Sequence, residues 1–428
     1  MKEFTFLRGA HVPDGKALAA DKAIEIMPSC KAHFICLQQH MGAPAFAEVN
    51  NGDTVKRGQL VASAVGAFSS NIFSPISGTV KGIVKRSNNM GILTDYIEIE
   101  NDFNDESVKL PVIEITKENI LQRVFDAGIV GMGGAGFPTA VKLKPKTPVD
   151  TLIINGAECE PYLTCDYRVM LEYTDKLIKG IALIAKALDV TKVYVGIETN
   201  KPKAIEALLK ASVDITVIPL KKKYPQGAEK QLIYACVNRT VKVGGLPSDV
   251  GVVVQNIQTA LNVYYAVVEN QPLYERIMTV SGKGINEPKN LLVRVGTPYA
   301  EILSYCGGMK ENTAKLIAGG PMMGMALLND SGVTTKTDGG LTALIEGEAA
   351  TDLPTPCINC ARCAAYCPMN LMPMYIDFYT LTGDYEAAIK YGVKNCFECG
   401  TCAYVCPAKR TLVQSIKLCK AKLKEMKK

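Results

Sequence analysis

The chain has 428 residues, of which 48% are hydrophobic and 21% charged, with a formal net charge of +6. That length suits about three domains, and the balance is that of a globular protein, which sets aside disordered, collagenous and small disulfide-stapled classes. The start, MKEFTFLRGAHVPDGK, lacks the apolar core of a secretory signal, and no run reaches the roughly 18 apolar residues of a membrane span, so the reading is soluble or peripheral.

Residues 1 to about 105 read as all-β, with alternating runs at Phe46 to Val49, Leu60 to Ala64, Gly78 to Val84 and Tyr96 to Glu100 divided by Gly, Asn, Pro and Ser. EVNNGDTVKRGQLVASAVG followed by FSPISGTVKGIV is similar to the barrel-sandwich of lipoyl and biotinyl carriers. Such carriers present a modifiable lysine at a hairpin tip. Here the tip, Ala67 to Ser74, has none, which argues against a swinging arm. The three histidines, His11, His33 and His40, lack metal-ligand spacing and read as structural or surface groups.

From about Pro111 the pattern turns α/β. ITKENILQRVFDAG has helical periodicity, with Thr116 as N-cap and Gly128 as stop. TLIING, KVYVGIE, ITVIPL and GVVVQN alternate with helices predicted at Asp166 to Leu188, Lys201 to Lys210 and Gly227 to Tyr234, the order of a mostly parallel sheet covered on both faces. Between the first helix and the first strand lies a glycine loop. Gly131, Gly133 and Gly136 satisfy G-x-G-x-x-G, with Glu158 downstream where a ribose-binding acid would stand. A dinucleotide fingerprint follows a strand and opens a helix, whereas this loop follows a helix and runs into Phe137-Pro138. What remains is backbone without Cβ that a planar ring or phosphate can approach, with free amides.

Residues from about Arg276 to Asp330 read as a small mixed α/β module, and TVSG, NLLVRVG and a helix from Pro298 resemble a β-grasp fold of the soluble-ligand-binding (SLBB) type. Met309, Met322, Met323 and Met325 read as packing residues. Then come two copies of C-x2-C-x2-C-x3-C-P: Cys357, Cys360, Cys363, Cys367 with Pro368, and Cys396, Cys399, Cys402, Cys406 with Pro407. One C-x-x-C pair fits a zinc ribbon or a redox dithiol. Two identical Pro-closed runs are the ligand pattern of a two-cluster ferredoxin, in which the fourth cysteine of each run serves the other cluster. One [4Fe-4S] set is then Cys357, Cys360, Cys363 and Cys406, and the other Cys396, Cys399, Cys402 and Cys367. MPMYIDFYTLTGDYEAAIKYG between the runs predicts helices broken at Gly383. The other seven cysteines, Cys30, Cys36, Cys159, Cys165, Cys236, Cys306 and Cys419, read as small buried apolar residues. The terminal lysines, Lys417, Lys420, Lys422, Lys424, Lys427 and Lys428, read as a solvated helix end rather than a lipid or nucleic-acid patch.

GMGGAGFPTAVKL, INGAECEP, KYPQGAEKQLIY and VVQNIQTALNV, in that order, resemble the flavin-binding segments of the NADH-oxidising subunit of respiratory complex I. With FLRGAHVPDGK and the lipoyl-like domain added, nearly the whole chain is similar to the RnfC family, subunits of the Rnf complex, a membrane-associated ferredoxin:NAD+ oxidoreductase. The resemblance implies a multidomain α/β chain: a barrel-sandwich over 1–110, an FMN/NADH α/β domain over 111–272, a β-grasp SLBB-like domain over 273–345 and a helical two-cluster ferredoxin domain over 346–428. It implies FMN held by Gly131, Gly133, Gly134, Lys142, Asn155, Glu158, Tyr224, Gly227, Asn256 and Thr259. Phe137 would stack on nicotinamide or adenine, and Glu160 and Glu229 would meet ribose hydroxyls or the cofactor amide. Met132 stands where the complex I pattern has Arg, and Ala157 and Ala228 replace acids, which leaves a less acidic pocket.

The implied activity is hydride exchange between NAD(H) and FMN with single electrons passing through the clusters, and no side chain is named as acid or base. The implied partners are NADH, integral-membrane and ferredoxin-like Rnf subunits and, indirectly, ferredoxin. The implied place is peripheral, on the cytoplasmic side of the cell membrane, with sodium or proton transport in other subunits. A soluble flavin iron-sulfur reductase, or a relay protein with a vestigial flavin site, are the competing expectations.

Overall fold

Alternation of apolar and polar residues builds a small β-sandwich in the first quarter of the chain, and the computed structural model describes residues 2–211, 213–349 and 352–426. One sheet runs in the order Ala32–Cys36, Leu93–Asn101, Gly78–Ser87, Thr54–Val55, and the other Phe46–Ala47, Leu60–Ser63, Ile72–Phe73. In Leu93–Asn101, Ile97 and Ile99 are buried between the sheets while Glu98 and Glu100 lie on the outer face, as a period of two requires. The residues ahead of this sandwich leave it. Phe4 bridges Leu220, Ala10 bridges Tyr224, and Ile24–Ile26 joins a later sheet beside Asn290, Leu291 and Leu292. A three-residue strand carries too short a pattern to be read from sequence.

Four parallel strands form the centre of the second unit, in the order Thr216–Leu220, Lys192–Glu198, Thr151–Gly156, Val252–Asn256. Leu152, Ile154, Val193, Val195 and Val253 meet helices Lys117–Asp126, Thr174–Leu188 and Ile257–Val268 on one face. Ile153, Ile218, Val252 and Val254 meet helix Glu229–Val237 on the other. Both faces are covered, so the strands read as continuous apolar runs. Thr116 caps its helix, its hydroxyl accepting from the Asn119 amide at 3.2 Å, and Gly128 ends the segment at φ +66°. The helix predicted over Asp166 to Leu188 divides at Tyr173 into Cys165–Glu172 and Thr174–Leu188. There the Thr174 hydroxyl donates to the Met170 carbonyl at 2.7 Å, a back-bond that bends helices. In chain order the strands lie third, second, first, fourth, so the order reverses between Thr151–Gly156 and Val252–Asn256. Ligands of such sheets bind at the carboxyl ends of the strands at that reversal.

A mixed six-stranded sheet follows, in the order Ile24–Ile26, Lys289–Arg294, Glu275–Ser281, Gly340–Ile345, Thr313–Ala318, Met325–Leu327, packed on helix Tyr299–Tyr305. The cysteine-rich end is helical: Pro373–Leu381 and Tyr385–Lys390, separated by Gly383 at φ +79°, pack with Leu412–Glu425 around Ile376, Ala388, Val393 and Ile416. Lys422 and Lys424 stand in the last turn of that final helix, and Lys427 and Lys428 lie outside the described residues. Among the described residues no helix is long and apolar enough to cross a membrane.

Candidate functional site

The crevice at the strand reversal is walled by two asparagines that are direct neighbours in the parallel ladder, Asn155 and Asn256. Asn155 donates from Nδ2 to the Gly227 carbonyl at 2.8 Å. Asn256 caps helix Ile257–Val268, accepting from the Gln258 and Thr259 amides, and donates from Nδ2 to Asp166 at 2.7 Å. The glycine loop turns over this point. Its Met132 amide donates to the Thr259 hydroxyl at 3.0 Å, and that hydroxyl donates to the Val130 carbonyl at 3.3 Å. Met132 is buried, while Gly133 and Gly134 face solvent. A Cβ on Gly133 would lie 2.8 Å from Asn256 Nδ2, so a larger residue here would push that side chain off its hydrogen bond to Asp166.

The charged residues that the sequence placed at the cofactor gather here, each held by a partner. Glu158 sits in the left-handed region at φ +44°, and its Oε1 accepts from the Asp166 amide at 2.7 Å. Its side chain is 4% exposed, Oε2 has no hydrogen-bond partner, and Lys16 Nζ lies 3.9 Å away. Burial pushes its pKa up to about 7 against the opposing charges of Lys16 and Lys201. Burial likewise raises Glu160 to about 7, although it accepts from the Met322 and Met323 amides at 3.1 and 2.8 Å. Lys142 pairs with Glu229 at 2.6 Å. Phe137 meets Phe68 from the β-sandwich edge-on, with ring centroids 5.9 Å apart.

Two expected flavin contacts turn elsewhere. The Thr259 hydroxyl is fully buried and bonded on both sides to the chain, so it anchors the glycine loop. The Tyr224 hydroxyl donates to the Cys399 carbonyl at 2.7 Å, which ties the α/β unit to the second cysteine run. Several residues of the site carried no sequence signal. Asp166 accepts from both Asn256 and Gln258 and returns an acid to this crevice. Lys201, buried, donates to the Ala157 carbonyl at 2.7 Å and pairs with Glu198 at 3.5 Å. A cavity of about 120 Å³ lies behind Tyr224, lined by His11, Asp14, Lys16, Cys159 and Glu198. Lysines in loops read as solvated, and only the folding of the N-terminal segment onto the sheet buries Lys16.

The cysteines form two groups. Cys357, Cys360, Cys363 and Cys406 line one cavity with Met374, Pro407 and Leu412. Cys367 stands close enough to Cys396, Cys399 and Cys402 for its charge to disfavour their ionisation. Burial is the larger cause, and it pushes Cys396 up to about 11. Thiols gathered in fours, with no disulfide among them, fit a cationic iron-sulfur core that stabilises them as thiolates. The first group is the more open, since Cys357 and Cys360 are exposed. His33 and His40 take no part. His33 is buried beside Thr297, where burial lowers it to about 3, and His40 bonds the Ala43 carbonyl.

The crevice fits FMN on its own chemistry. Exposed glycine backbone leaves room for a ring system, and the buried Glu158 Oε2, 3.9 Å from Lys16 Nζ, still lacks a hydrogen-bond donor, which a ligand hydroxyl would supply. Family models match the parts of the chain that hold these groups: a Nuo51 FMN-binding domain matches residues 124–265 and a 4Fe-4S dicluster domain residues 356–409. An RnfC barrel sandwich hybrid domain matches residues 4–104 and an SLBB domain residues 277–326. The chain is 45% identical, over 97% of its length and 93% of the relative's, to the C-subunit of a proton-translocating ferredoxin:NAD(+) oxidoreductase complex of Clostridium ljungdahlii. It is 42% identical, over 99% and 84%, to the C-subunit of an ion-translocating oxidoreductase complex of Rhodobacter capsulatus. To the C-subunit of a Na(+)-translocating ferredoxin:NAD(+) oxidoreductase complex of Acetobacterium woodii it is 38% identical, over 99% and 98%. An FMN-binding unit and a two-cluster unit, joined in one chain that matches these relatives over nearly its full length, make it a member of the RnfC family of Rnf-complex subunits.

Proposed function

We propose that this chain is the peripheral electron-carrying subunit of an ion-translocating ferredoxin:NAD+ oxidoreductase, exchanging hydride with NAD(H) and relaying single electrons to or from membrane partners. The observation that carries this reading is the 2.7 Å hydrogen bond from Tyr224 to the Cys399 carbonyl, which joins the flavin crevice to a cluster-ligand run. Bound FMN exchanges two electrons with a nicotinamide and one at a time with an iron-sulfur centre, which is the conversion such a subunit needs.

Residues of the chain supply position and electrostatics. Gly131, Gly133 and Gly134 would admit the ring, Asn155, Gly227 and Asn256 would line it, and Glu158 would accept from a flavin hydroxyl. Lys142 would neutralise the phosphate, at the expense of its pairing with Glu229. Glu160 and Phe137 would meet the nicotinamide coenzyme. Cys367, Cys396, Cys399 and Cys402, next to Tyr224, would hold the cluster nearer the flavin, and the open set Cys357, Cys360, Cys363 and Cys406 the one facing a partner. Ion movement belongs to other subunits, since no described helix spans a membrane. A cytoplasmic, membrane-bound position, with ferredoxin reached through neighbouring subunits, completes the reading.

Anaerobic titration of the reconstituted subunit with NADH, following flavin and cluster absorbance together, is expected to bleach both. Protein that retains no flavin absorbance, or that is reduced by NADPH and not by NADH, would overturn the assignment.

A further inference from the structure

The N-terminal segment FLRGAH forms a strap that reaches the first cysteine run. Ala10 pairs with Tyr224 in both directions, amide to carbonyl at 2.8 Å, on the flavin side. One residue earlier the Gly9 amide donates to the Tyr366 carbonyl at 3.0 Å, and Arg8 Nη1 donates to the Ala364 carbonyl at 2.9 Å, both between Cys363 and Cys367. Gly9 has φ +80°, and a Cβ there would lie 2.5 Å from the Tyr224 carbonyl oxygen, a passage that only glycine allows. Arg8 is left-handed too, at φ +63°, a conformation that a residue with a Cβ keeps only where its surroundings hold it. The strap thus sets the Arg8 guanidinium on the cysteine run and leaves the neighbouring Leu7 76% exposed.

That run contributes three cysteines to the more open group, in which Cys357 and Cys360 are exposed. Ile358 between them and Tyr366 beyond them are exposed as well. Arg362, also exposed, stands one helical turn before Tyr366, whose amide donates to its carbonyl at 3.0 Å. Residues 4–13 and 353–376 carry Arg8 and Arg362 but no Asp or Glu. The acids that flank the second stretch are engaged: Asp352 pairs with Lys409 at 3.6 Å, and buried Asp377 with Arg410 at 2.6 Å. We infer that this face docks the acidic side of a ferredoxin-like electron carrier belonging to a neighbouring subunit, with Arg8 and Arg362 as cationic contacts and Leu7, Ile358 and Tyr366 as apolar ones. The inference rests on the electron-relay reading of the chain. Cations at the rim of an open cluster steer an acidic partner to it, and arginine with large apolar side chains is the composition of an interface core. One electron leaves the partner's reduced cluster and enters the open one, with no bond formed and no proton moved.

Stopped-flow reduction of the FMN- and cluster-loaded full chain, kept anaerobic, tests this with two reductants: a reduced two-[4Fe-4S] ferredoxin of acidic surface, and reduced methyl viologen, a small cation. The second-order rate constant with ferredoxin is expected to fall as salt rises from about 0.05 to 0.5 M, and to fall about tenfold in Arg8→Glu and in Arg362→Glu, within the range of electrostatic steering. The viologen rate is expected not to fall in either variant. Iron content and flavin reduction by NADH are expected to stay unchanged, and Arg362→Lys to react as wild type. Arg362→Glu leaves the hydrogen bonds of the strap in place, so it decides the matter if Arg8→Glu loosens the chain. Equal slowing of both reductants would make the arginines structural or cluster-tuning groups and overturn the inference, as would a ferredoxin rate indifferent to salt. If neither reductant reduces the clusters of the unaltered protein, the electron-relay reading itself fails.

Discussion

Lys336 is a buried cation whose partners are all neutral: the Ser70 hydroxyl and the carbonyls of Asn71 and Gly128. Burial alone lowers its pKa to about 7, from about 10.4 in an unfolded chain. Between those values the unfolded chain holds a proton that the folded chain lacks. Stability is therefore expected to rise with pH across that window, by up to about 1.4 kcal/mol per unit, and this contribution to be flat below pH 7. Urea midpoints of wild type and Lys336→Met compared from pH 7 to 10 check this, and equal slopes would place the titration elsewhere. Tyr224→Phe removes one hydrogen bond to the backbone of a cluster ligand. It is expected to cost about 1 kcal/mol in stability and, by withdrawing a donor dipole, to lower the potential of one cluster in a redox titration followed by electron paramagnetic resonance. An unmoved potential would leave Tyr224 a purely structural tie.

Helix Thr174–Leu188 packs so closely on Ile257–Val268 that a Cβ at Gly180 would lie 2.0 Å from the Ala260 carbonyl. Helix propensity by itself favours alanine over glycine by about 1 kcal/mol. The contact reverses that sign, so Gly180→Ala is expected to destabilise by about 1–3 kcal/mol. Thermal unfolding measures it, and a higher Tm would mean that the two helices separate easily. Local rules otherwise hold among the elements. The Thr116 cap, the Gly128 stop and the Gly383 break are set by side-chain oxygens and missing Cβ atoms acting within a few residues. The division at Tyr173 leaves no trace in the hydrophobic pattern because both halves of the segment share one apolar period.

Across the whole molecule the two cysteine runs interlock. Cys367 sits with the second run and Cys406 with the first. Cys367→Ala is expected to lose about half the iron, as a two-cluster protein losing one [4Fe-4S] must. Adding Cys399→Ala is expected to lose no more, whereas adding Cys360→Ala empties both sites. Iron analysis of the two double variants reads the pairing, and the opposite pattern would mean that each run serves its own cluster. The N-terminal segment also interlocks the molecule. It pairs through Phe4 with the edge strand of the parallel sheet and through Ala10 with Tyr224, buries Lys16, and ends as a strand beside Asn290 before the sandwich begins.

Ligand spacing, hydrophobic period and missing side chains are local properties, and they made the fold class, the cluster chemistry and the glycine loop at the cofactor crevice legible without coordinates. Asn155 beside Asn256, Tyr224 against Cys399 and Phe68 against Phe137 each join residues tens to hundreds of positions apart. Nothing in a spacing records such a meeting. It took the folded chain, with its reversed strand order and the sandwich tip laid onto the loop, to bring these side chains together.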